Sequence, residues 1–404
     1  MSLFSAVDMA PRDPILGLNE QFATDANPNK VNLGVGVYYD DAGKLPLLAC
    51  VQAAEVQLGA NPKPRGYLPM DGIAAYDGAV KALVFGPGSE PLQANRVATV
   101  QALGGTGALR LGADLLYQMG SRKALISNPS WENHRGIFQR AGFAVDTYAY
   151  YNEATRGVDF AGMLDSLQQA AAGTVVVLHA CCHNPTGYDL TAQQWQAVTE
   201  VVKQRQLVPF LDMAYQGFRD SIEADGAAVH AFVAAGIDCL VATSFSKSFS
   251  LYGERVGALS VVCQSADESA RVLSQLKLIV RTNYSNPPTH GAALVATVLG
   301  TPELRQQWEA ELGSMRERIK AMRAALVQGL AEAGVTQDVS FIAEQAGMFS
   351  YSGLSAEQMQ RLRSEFGVYG VNSGRICVAA LNTGNVAYVC QAMAAVMKHQ
   401  AEVV

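Results

Sequence analysis

Between residues 96 and 263, short apolar runs recur with stretches of helix length between most of them. The runs are RVATVQAL (96–103), KALISNP (123–129), TVVVLHACC (174–182), LVPFLD (207–212), CLVATSFS (239–246) and ALSVVC (258–263). Runs this short, rich in valine and leucine and bounded by turn residues, read as buried strands. GGTGALRLGADLLYQM, after the first run, reads as a turn followed by a helix, and TAQQWQAVTEVVKQR as an amphipathic helix. Strands alternating with helices predict an α/β fold: a mainly parallel sheet with both faces covered.

The alternation begins near residue 46. Ahead of it, KVNLGVGVYYDDAGKLPLL reads as a short strand, a glycine turn and a second strand. Near residue 303 the texture changes. Trp308, Leu312, Met315, Ile319, Met322, Leu326 and Leu330 recur at spacings of three and four, the apolar stripe of one long helix. MFSYSGL, a helix at 355–366, RICVAAL and a final helix from about 384 then give α+β texture. A chain of 404 residues is too long for one ordinary core. The expected organisation is a large domain over 46–310 and a smaller α+β domain from 1–45 and 311–404. The N-terminal piece has too little sequence for a core of its own.

Hydrophobic residues make up 49% of the chain and charged residues 16%, the balance of a folded globular protein. The net charge of −6 shows no basic footprint, so no nucleic-acid partner is expected. A local pair of arginines can still hold a small anionic substrate. The seven cysteines form no C-x-x-C pair, which argues against a zinc site, and no metal is expected. A reducing cytoplasm is the simplest compartment. The opening MSLFSAVDMAPRDPILGL lacks the basic and apolar regions of a signal peptide, and no apolar run would span a bilayer.

In open α/β sheets, ligands bind beyond the carboxyl ends of the strands. Gly104, Gly105 and Thr106 follow the first run and open a helix, where backbone amides and the helix dipole favour an anion. A structural turn is the simpler reading of GGTG alone, which is not a Walker loop. LGVGVY likewise lacks the third glycine of a dinucleotide fingerprint. Trp131 follows the second run, as core packing or as a flat wall for a ring. Asn184 follows the third. Asp212 ends the fourth, with Tyr215 three residues later. A carboxylate there needs a partner, since an unpaired buried charge is costly. It could cap a helix, or it could hold a protonated pyridine nitrogen.

The fifth run leads into SFSKSFSLYGERVG (244–257), where Lys247 stands among serines and apolar side chains. Burial lowers a lysine's pKa and makes the amine a nucleophile suited to Schiff-base chemistry. A solvated lysine at a strand edge is the alternative. Together the strand ends fit one ligand, a flat, anionic, aldehyde-bearing pyridine. Lys247 would bond its aldehyde carbon and Asp212 would hold its ring nitrogen protonated. Tyr215 and Asn184 would hydrogen-bond its hydroxyl. Gly104, Gly105, Thr106, Ser244, Ser246 and Arg255 would bind its phosphate.

SFSKSFSLYGERVG, HNPTG, DMAYQGF, GGTGALR, SNPSWENH, NYSNPP and SGRICVAALN together resemble the fold-type I pyridoxal phosphate aminotransferases, in the subgroup of aspartate and aromatic-amino-acid enzymes. The resemblance runs from Asp13 to the C-terminal helix. YLPMDG, WENH, CCHNPTG and GVYGVNSGRICVAAL are most similar to bacterial tyrosine (aromatic) aminotransferases. It implies pyridoxal 5′-phosphate as cofactor, a seven-stranded sheet in the large domain, and a homodimer. It also implies that Arg375 grips the substrate α-carboxylate in a bidentate fork. Arg281 would read a distal carboxylate and Tyr67 would reach the cofactor phosphate, both across the subunit interface. Gly36, Trp131 and Asn184 would also line the substrate. Without the motif match, each arginine would read as a surface or interface ion pair. Ala380 departs from the family's usual glycine, a change that could shift the small domain slightly.

The expected reaction is ping-pong transfer of an amino group to 2-oxoglutarate, with Lys247, once released, as the base at the substrate Cα. Tyrosine and phenylalanine are the expected main donors, with aspartate accepted. Arg281 argues for dicarboxylates, and an aromatic donor leaves that charge unpaired unless it swings away or water pairs it. The alternatives are a strict aspartate aminotransferase and a pyridoxal phosphate lyase. A DNA-binding regulator on this fold is not expected, because residues 1–12 are too short and insufficiently basic for an added DNA-binding segment.

Overall fold

The computed structural model describes residues 2–398, so the expected domain limits at 1 and 404 lie outside the described residues. The strands that organise the molecule are β1 (Val97–Leu103), β2 (Lys123–Asn128), β3 (Ala144–Ala149), β4 (Val175–His179), β5 (Val208–Met213), β6 (Cys239–Ser244) and β7 (Val256–Val262). They form one seven-stranded sheet in the order β1-β7-β6-β5-β4-β2-β3. The neighbours from β6 to β3 run parallel, and β7 is antiparallel to both β1 and β6. Between β6 and β7 lie residues 245–255, with one short 3-10 turn at Tyr252–Glu254. That is less chain than a helical crossover needs, so the strand returns antiparallel.

The sheet contains one strand absent from the sequence reading. β3, AVDTYA, lies at the sheet edge, and most of its residues remain at least partly exposed. Edge strands tolerate polar side chains, so AVDTYA lacks the continuous apolar run of its buried neighbours. The second strand expected after the glycine turn does not form. Val31–Asn32 pairs in parallel with Val368–Tyr369. The chain beyond then turns at residues 40–44, where the Asp40 carboxylate accepts from the amides of Ala42 (3.0 Å) and Lys44 (2.8 Å). The turn expected before the first sheet helix is reduced to Gly104, the first residue of the helix Gly104–Gln118. Gly104 has φ +69°, and a Cβ there would lie 2.5 Å from the Arg255 guanidinium. Only glycine allows both the conformation and the approach.

One apolar core lies on each side of the sheet. Phe138, Phe210, Leu109, Leu259 and Ile279 belong to the first. Trp195, Phe232, Phe249 and Trp308 belong to the second, which continues into the C-terminal region. The expected long helix is Pro302–Glu332, and every residue of the expected stripe from Trp308 to Leu330 is buried. Each such side chain contributes about 1.5–3 kcal/mol by leaving water.

The long helix ties the two ends of the chain to the sheet. Its Trp308 Nε1 donates to the Ser248 carbonyl at 2.7 Å. Arg318 donates to the carbonyls of Tyr39, Leu381 and Ala379. Arg323 donates to those of Gly347 (2.8 Å) and Phe349 (2.9 Å). The helix passes through residue 310 unbroken. The helices expected at 355–366 and from about 384 are Ala356–Phe366 and Val386–Lys398. Among the described residues, no helix is long and apolar enough to cross a membrane.

Candidate active site

A cleft opens beyond the carboxyl ends of β4, β5 and β6, closed on one side by the N-terminal segment and the region around Phe349. It is lined by Gly105, Thr106, Trp131, Asn184, Asp212, Tyr215, Ser244, Ser246, Lys247 and Arg255. From the far side come Gly36, Phe349 and Arg375. The parallel register that sets His179 opposite Asp212 brings the ends of β4 and β5 level. The cleft therefore collects short segments that are far apart in sequence.

One end of the cleft is an anion cradle. Gly105 and Thr106 sit in the first turn of a helix, where backbone N–H groups are free and the dipole is positive. A Cβ on Gly105 would come within 3.2 Å of the Ser244 side chain, so the glycine keeps the cradle open. The Arg255 guanidinium meets the Ser246 hydroxyl at 3.4 Å and donates to the Tyr252 carbonyl at 2.9 Å. Arg255 itself takes the left-handed conformation (φ 53°), which directs its chain back across Gly104. These donors suit a phosphate.

The middle of the cleft holds a carboxylate and an amine. Burial alone would raise the Asp212 pKa. The hydrogen bond from His134, at 2.7 Å, and the charges of His134, His179 and Lys247 outweigh it and hold the carboxyl below its usual value. His134 is fully buried, and its Nδ1 lies 2.8 Å from the Ser130 hydroxyl. Burial lowers Lys247 to about 8, and Arg255 adds to that while Asp212 opposes it. Its Nζ lies 5.4 Å from the centre of the Tyr215 ring. Burial pushes the Tyr215 phenol up, so it stays a neutral hydroxyl at physiological pH. An anionic acid, an amine poised to lose its proton and a neutral hydroxyl donor thus face one space.

The far end holds a buried guanidinium. Arg375 is 2% exposed. Its Nη1 donates to Asn184 Oδ1 at 3.2 Å and its Nη2 to the Gly34 carbonyl at 3.0 Å. The guanidinium lies 4.3 Å from the centre of the Phe349 ring. Its buried Nε has no hydrogen-bond partner among the described residues. A buried cation with an unfilled N–H is the complement of an anionic ligand.

The fit to pyridoxal phosphate can be read from these residues. The cradle matches a phosphate, Asp212 a ring nitrogen that carries a proton, Tyr215 and Asn184 a ring oxygen, and Lys247 an aldehyde carbon. Trp131 lines the same space, in edge contact with His134 at 5.2 Å between ring centres. Gly104 lies behind the cradle, against Arg255.

Two expected residues are elsewhere. Tyr67 is 95% exposed on a loop. Arg281, in the last turn of the helix Ala266–Asn283, is exposed and donates to the Ser285 hydroxyl. Neither lines this cleft. The sequence reading also passed over His134, His179 and Phe349. His134 was within the quoted SNPSWENH, four residues after the serine it bonds, which lies just ahead of the helix Glu132–Arg140 that carries the histidine. His179 ends β4 opposite Asp212. Burial lowers it to about 3, the charge of His134 adding to that and Asp212 opposing it, and neither ring nitrogen has a partner among the described residues.

Comparison with known proteins agrees with this geometry. A family model described as aminotransferase class I and II matches residues 28–393. An aspartate aminotransferase from Pseudomonas aeruginosa is 59% identical over 98% of this chain and 100% of its own length. The crystal structure of an aromatic-amino-acid aminotransferase from Burkholderia pseudomallei, covalently bound to pyridoxal phosphate, is 62% identical. It superposes with a TM-score of 0.97 over 98% of this chain and 100% of that one. A psychrophilic aromatic amino acids aminotransferase from Psychrobacter sp. B6, cocrystallised with aspartic acid, is 44% identical, with a TM-score of 0.96 over 98% of this chain and 100% of that one.

Proposed function

From the premise that this chain belongs to the class I and II aminotransferase family, we infer that it is a pyridoxal phosphate-dependent aromatic-amino-acid aminotransferase that also accepts aspartate. The observation that carries this reading is the facing of Lys247 and Asp212 between a phosphate cradle and the Arg375 fork. Relatives named for aspartate and for aromatic amino acids, and an aromatic enzyme crystallised with aspartic acid, support the dual range. We propose 2-oxoglutarate as the acceptor, by a ping-pong sequence.

When bound, pyridoxal phosphate supplies an aldehyde that captures the amino group and a ring that takes up the electron pair left at Cα. The chain's own residues govern the protons around it. Asp212, kept ionised by His134, holds a proton on the ring nitrogen. Tyr215 and Asn184 orient the ring oxygen, and Gly104, Gly105, Thr106, Ser244, Ser246 and Arg255 hold the phosphate. Lys247 Nζ, deprotonated in a useful fraction near neutral pH, would take the proton from the substrate Cα and return it to the cofactor carbon that had carried the aldehyde. Arg375 holds the substrate α-carboxylate, with Asn184, Gly36 and Trp131 beside it. Drawing Arg375 onto that carboxylate pulls the flanking region inward and excludes water.

We propose a homodimer in which Tyr67 and Arg281 of one subunit complete the cleft of the other. Their exposure on an isolated chain, outside its own cleft, supports this. The division into 46–310 and the flanking chain ends is our proposal for the domains. Seven buried free thiols among the described residues fit a reducing cytoplasm. Lys247→Ala is the test of the chemistry. It should remove the absorbance band that depends on the bond between Lys247 and the cofactor, and nearly all turnover, and full activity in that variant would refute the reading.

A strict aspartate aminotransferase is the second reading, favoured by the 59% identity to the Pseudomonas aeruginosa enzyme. A donor panel with 2-oxoglutarate, reporting kcat/KM for tyrosine, phenylalanine and aspartate, separates the two. Negligible turnover of both aromatic donors would select the second.

A further inference from the structure

The loop that carries Tyr67 and the loop after Arg281 are far apart in sequence, yet one buried side chain joins them. Gln101 lies on β1, two residues before its end, and is 2% exposed. Its Oε1 accepts from the Ile73 amide at 3.1 Å. Its Nε2 donates to the Pro288 carbonyl at 2.7 Å. Its backbone amide donates to the Asp71 carbonyl at 2.9 Å. The partners fix the amide's orientation, since one is a donor and the other an acceptor.

The surrounding sequence is fitted to this arrangement. Gly72 has φ +96°, and a Cβ there would fall 2.4 Å from the Gln101 Cβ. The loop can therefore lie directly on the glutamine only because residue 72 is glycine. A second, looser tie joins the same elements at the surface, where Lys277 Nζ lies 3.7 Å from Asp71 Oδ2. Lys277 is one helical turn before Arg281.

We propose that Gln101 is a positioning residue for the neighbouring subunit's cleft, fixing the placement of Tyr67 relative to Arg281. This rests on the dimer reading above. Gln101 does not line the cleft of its own chain, although β1 leads into Gly104 and the phosphate cradle. Its side chain bonds instead to the loop that carries Tyr67 and to the loop that follows Arg281, and neither of those two residues lines that cleft. A misplacement of about 1 Å in such a group can cost on the order of 100-fold in rate, so a small buried linker can control catalysis without touching substrate.

The test is a set of hybrid dimers of the full holoenzyme, made by co-expressing differently tagged chains. The Gln101→Met homodimer should lose about tenfold or more in kcat/KM for aspartate. In the first hybrid, one chain carries Lys247→Ala and the other Gln101→Met. Its single live cleft belongs to the Gln101→Met chain but is completed by loops that retain Gln101. Activity per live cleft should return to the wild-type level. In the second hybrid, both substitutions share one chain and the partner is wild type. The live cleft then receives the altered loops and should be as impaired as the Gln101→Met homodimer.

The reverse pattern, equal losses in both hybrids, or no loss in the homodimer would overturn the proposal. The same two hybrids with Tyr67→Ala replacing Gln101→Met test the underlying reading. If Tyr67 acts across the interface and Gln101 does not, this inference alone fails. If Tyr67 acts within its own subunit, the dimer reading fails and this inference falls with it. Should Gln101→Met not fold, Gln101→Glu is used in the same pairings. It keeps the acceptor for Ile73 and loses the donor to Pro288, so its trans-acting loss should concentrate on the dicarboxylate donor; a loss confined to its own cleft would overturn the proposal.

Discussion

The imidazole of His134 lies 2.7 Å from the Asp212 carboxylate, and the Ser130 hydroxyl lies 2.8 Å from its other nitrogen. His134 therefore cannot turn away without breaking both bonds. A buried acid is held ionised by a buried imidazole, and that imidazole is oriented by a hydroxyl just ahead of its own helix.

Replacing His134 with alanine should raise the Asp212 pKa, because burial then acts with less opposition. A depressed carboxyl pKa stabilises the fold above its unfolded value, and that contribution is lost as pH falls through the folded value. The variant should unfold at a higher pH on acid titration, followed by circular dichroism. Its kcat/KM should fall by about tenfold or more, with the acidic limb of the profile moved upward. An unchanged acidic limb would count against the pairing.

Lys247 should titrate near pH 8 in the cofactor-free protein. Amine labelling of the wild type, minus that of Lys247→Ala, should reach half its maximal rate near that pH. Because Arg255 helps to lower this value, Arg255→Leu should move the midpoint upward. A lowered lysine pKa disfavours the folded state while the amine is charged. That cost fades as pH rises from about 8 toward the ordinary lysine value.

Arg281→Leu should reduce kcat/KM for aspartate by about 100-fold or more and leave phenylalanine within about tenfold. Steady-state kinetics with the two donors and a fixed oxo acid provide the measurement. Equal losses would remove Arg281 from substrate recognition.

Asp77 gives a prediction about stability. It is 7% exposed, and its Oδ1 has no hydrogen-bond partner among the described residues. Burial, helped by the charge of Asp71 and opposed by Lys81, raises its pKa to about 8. The folded state then holds a proton that the unfolded chain releases, so stability declines as pH rises from the ordinary carboxyl range to about 8. Asp77→Asn removes that decline. It should match the wild type near pH 4 and exceed it at pH 8.5 by on the order of 1–3 kcal/mol in denaturant melts.

What could be read from the sequence followed the physical signals available there. Buried strands such as TVVVLHACC announce themselves by continuous apolar residues, and a ligand site beyond their ends follows from the fold class. Asp212, Lys247 and Arg255 were found in this way, while the roles of Arg375, Arg281 and Tyr67 needed whole motifs. The edge strand AVDTYA was missed because solvent removes the demand for apolar residues. His134 and Gln101 were missed because each acts through a contact between distant segments. Neither residue type carries a local signature of that contact, and a buried glutamine amide is visible only once Ile73 and Pro288 have been brought to it.

The long helix Pro302–Glu332 makes this chain a poor subject for modular exchange. Its stripe from Trp308 to Leu330 is one uninterrupted buried surface, and Arg318 and Arg323 fasten both ends of the chain to it. A chimaera spliced at residue 310 would oblige two ancestries to agree on the packing of a single helix. Recombination among relatives should therefore succeed at the exposed ends of this rod and fail along its length.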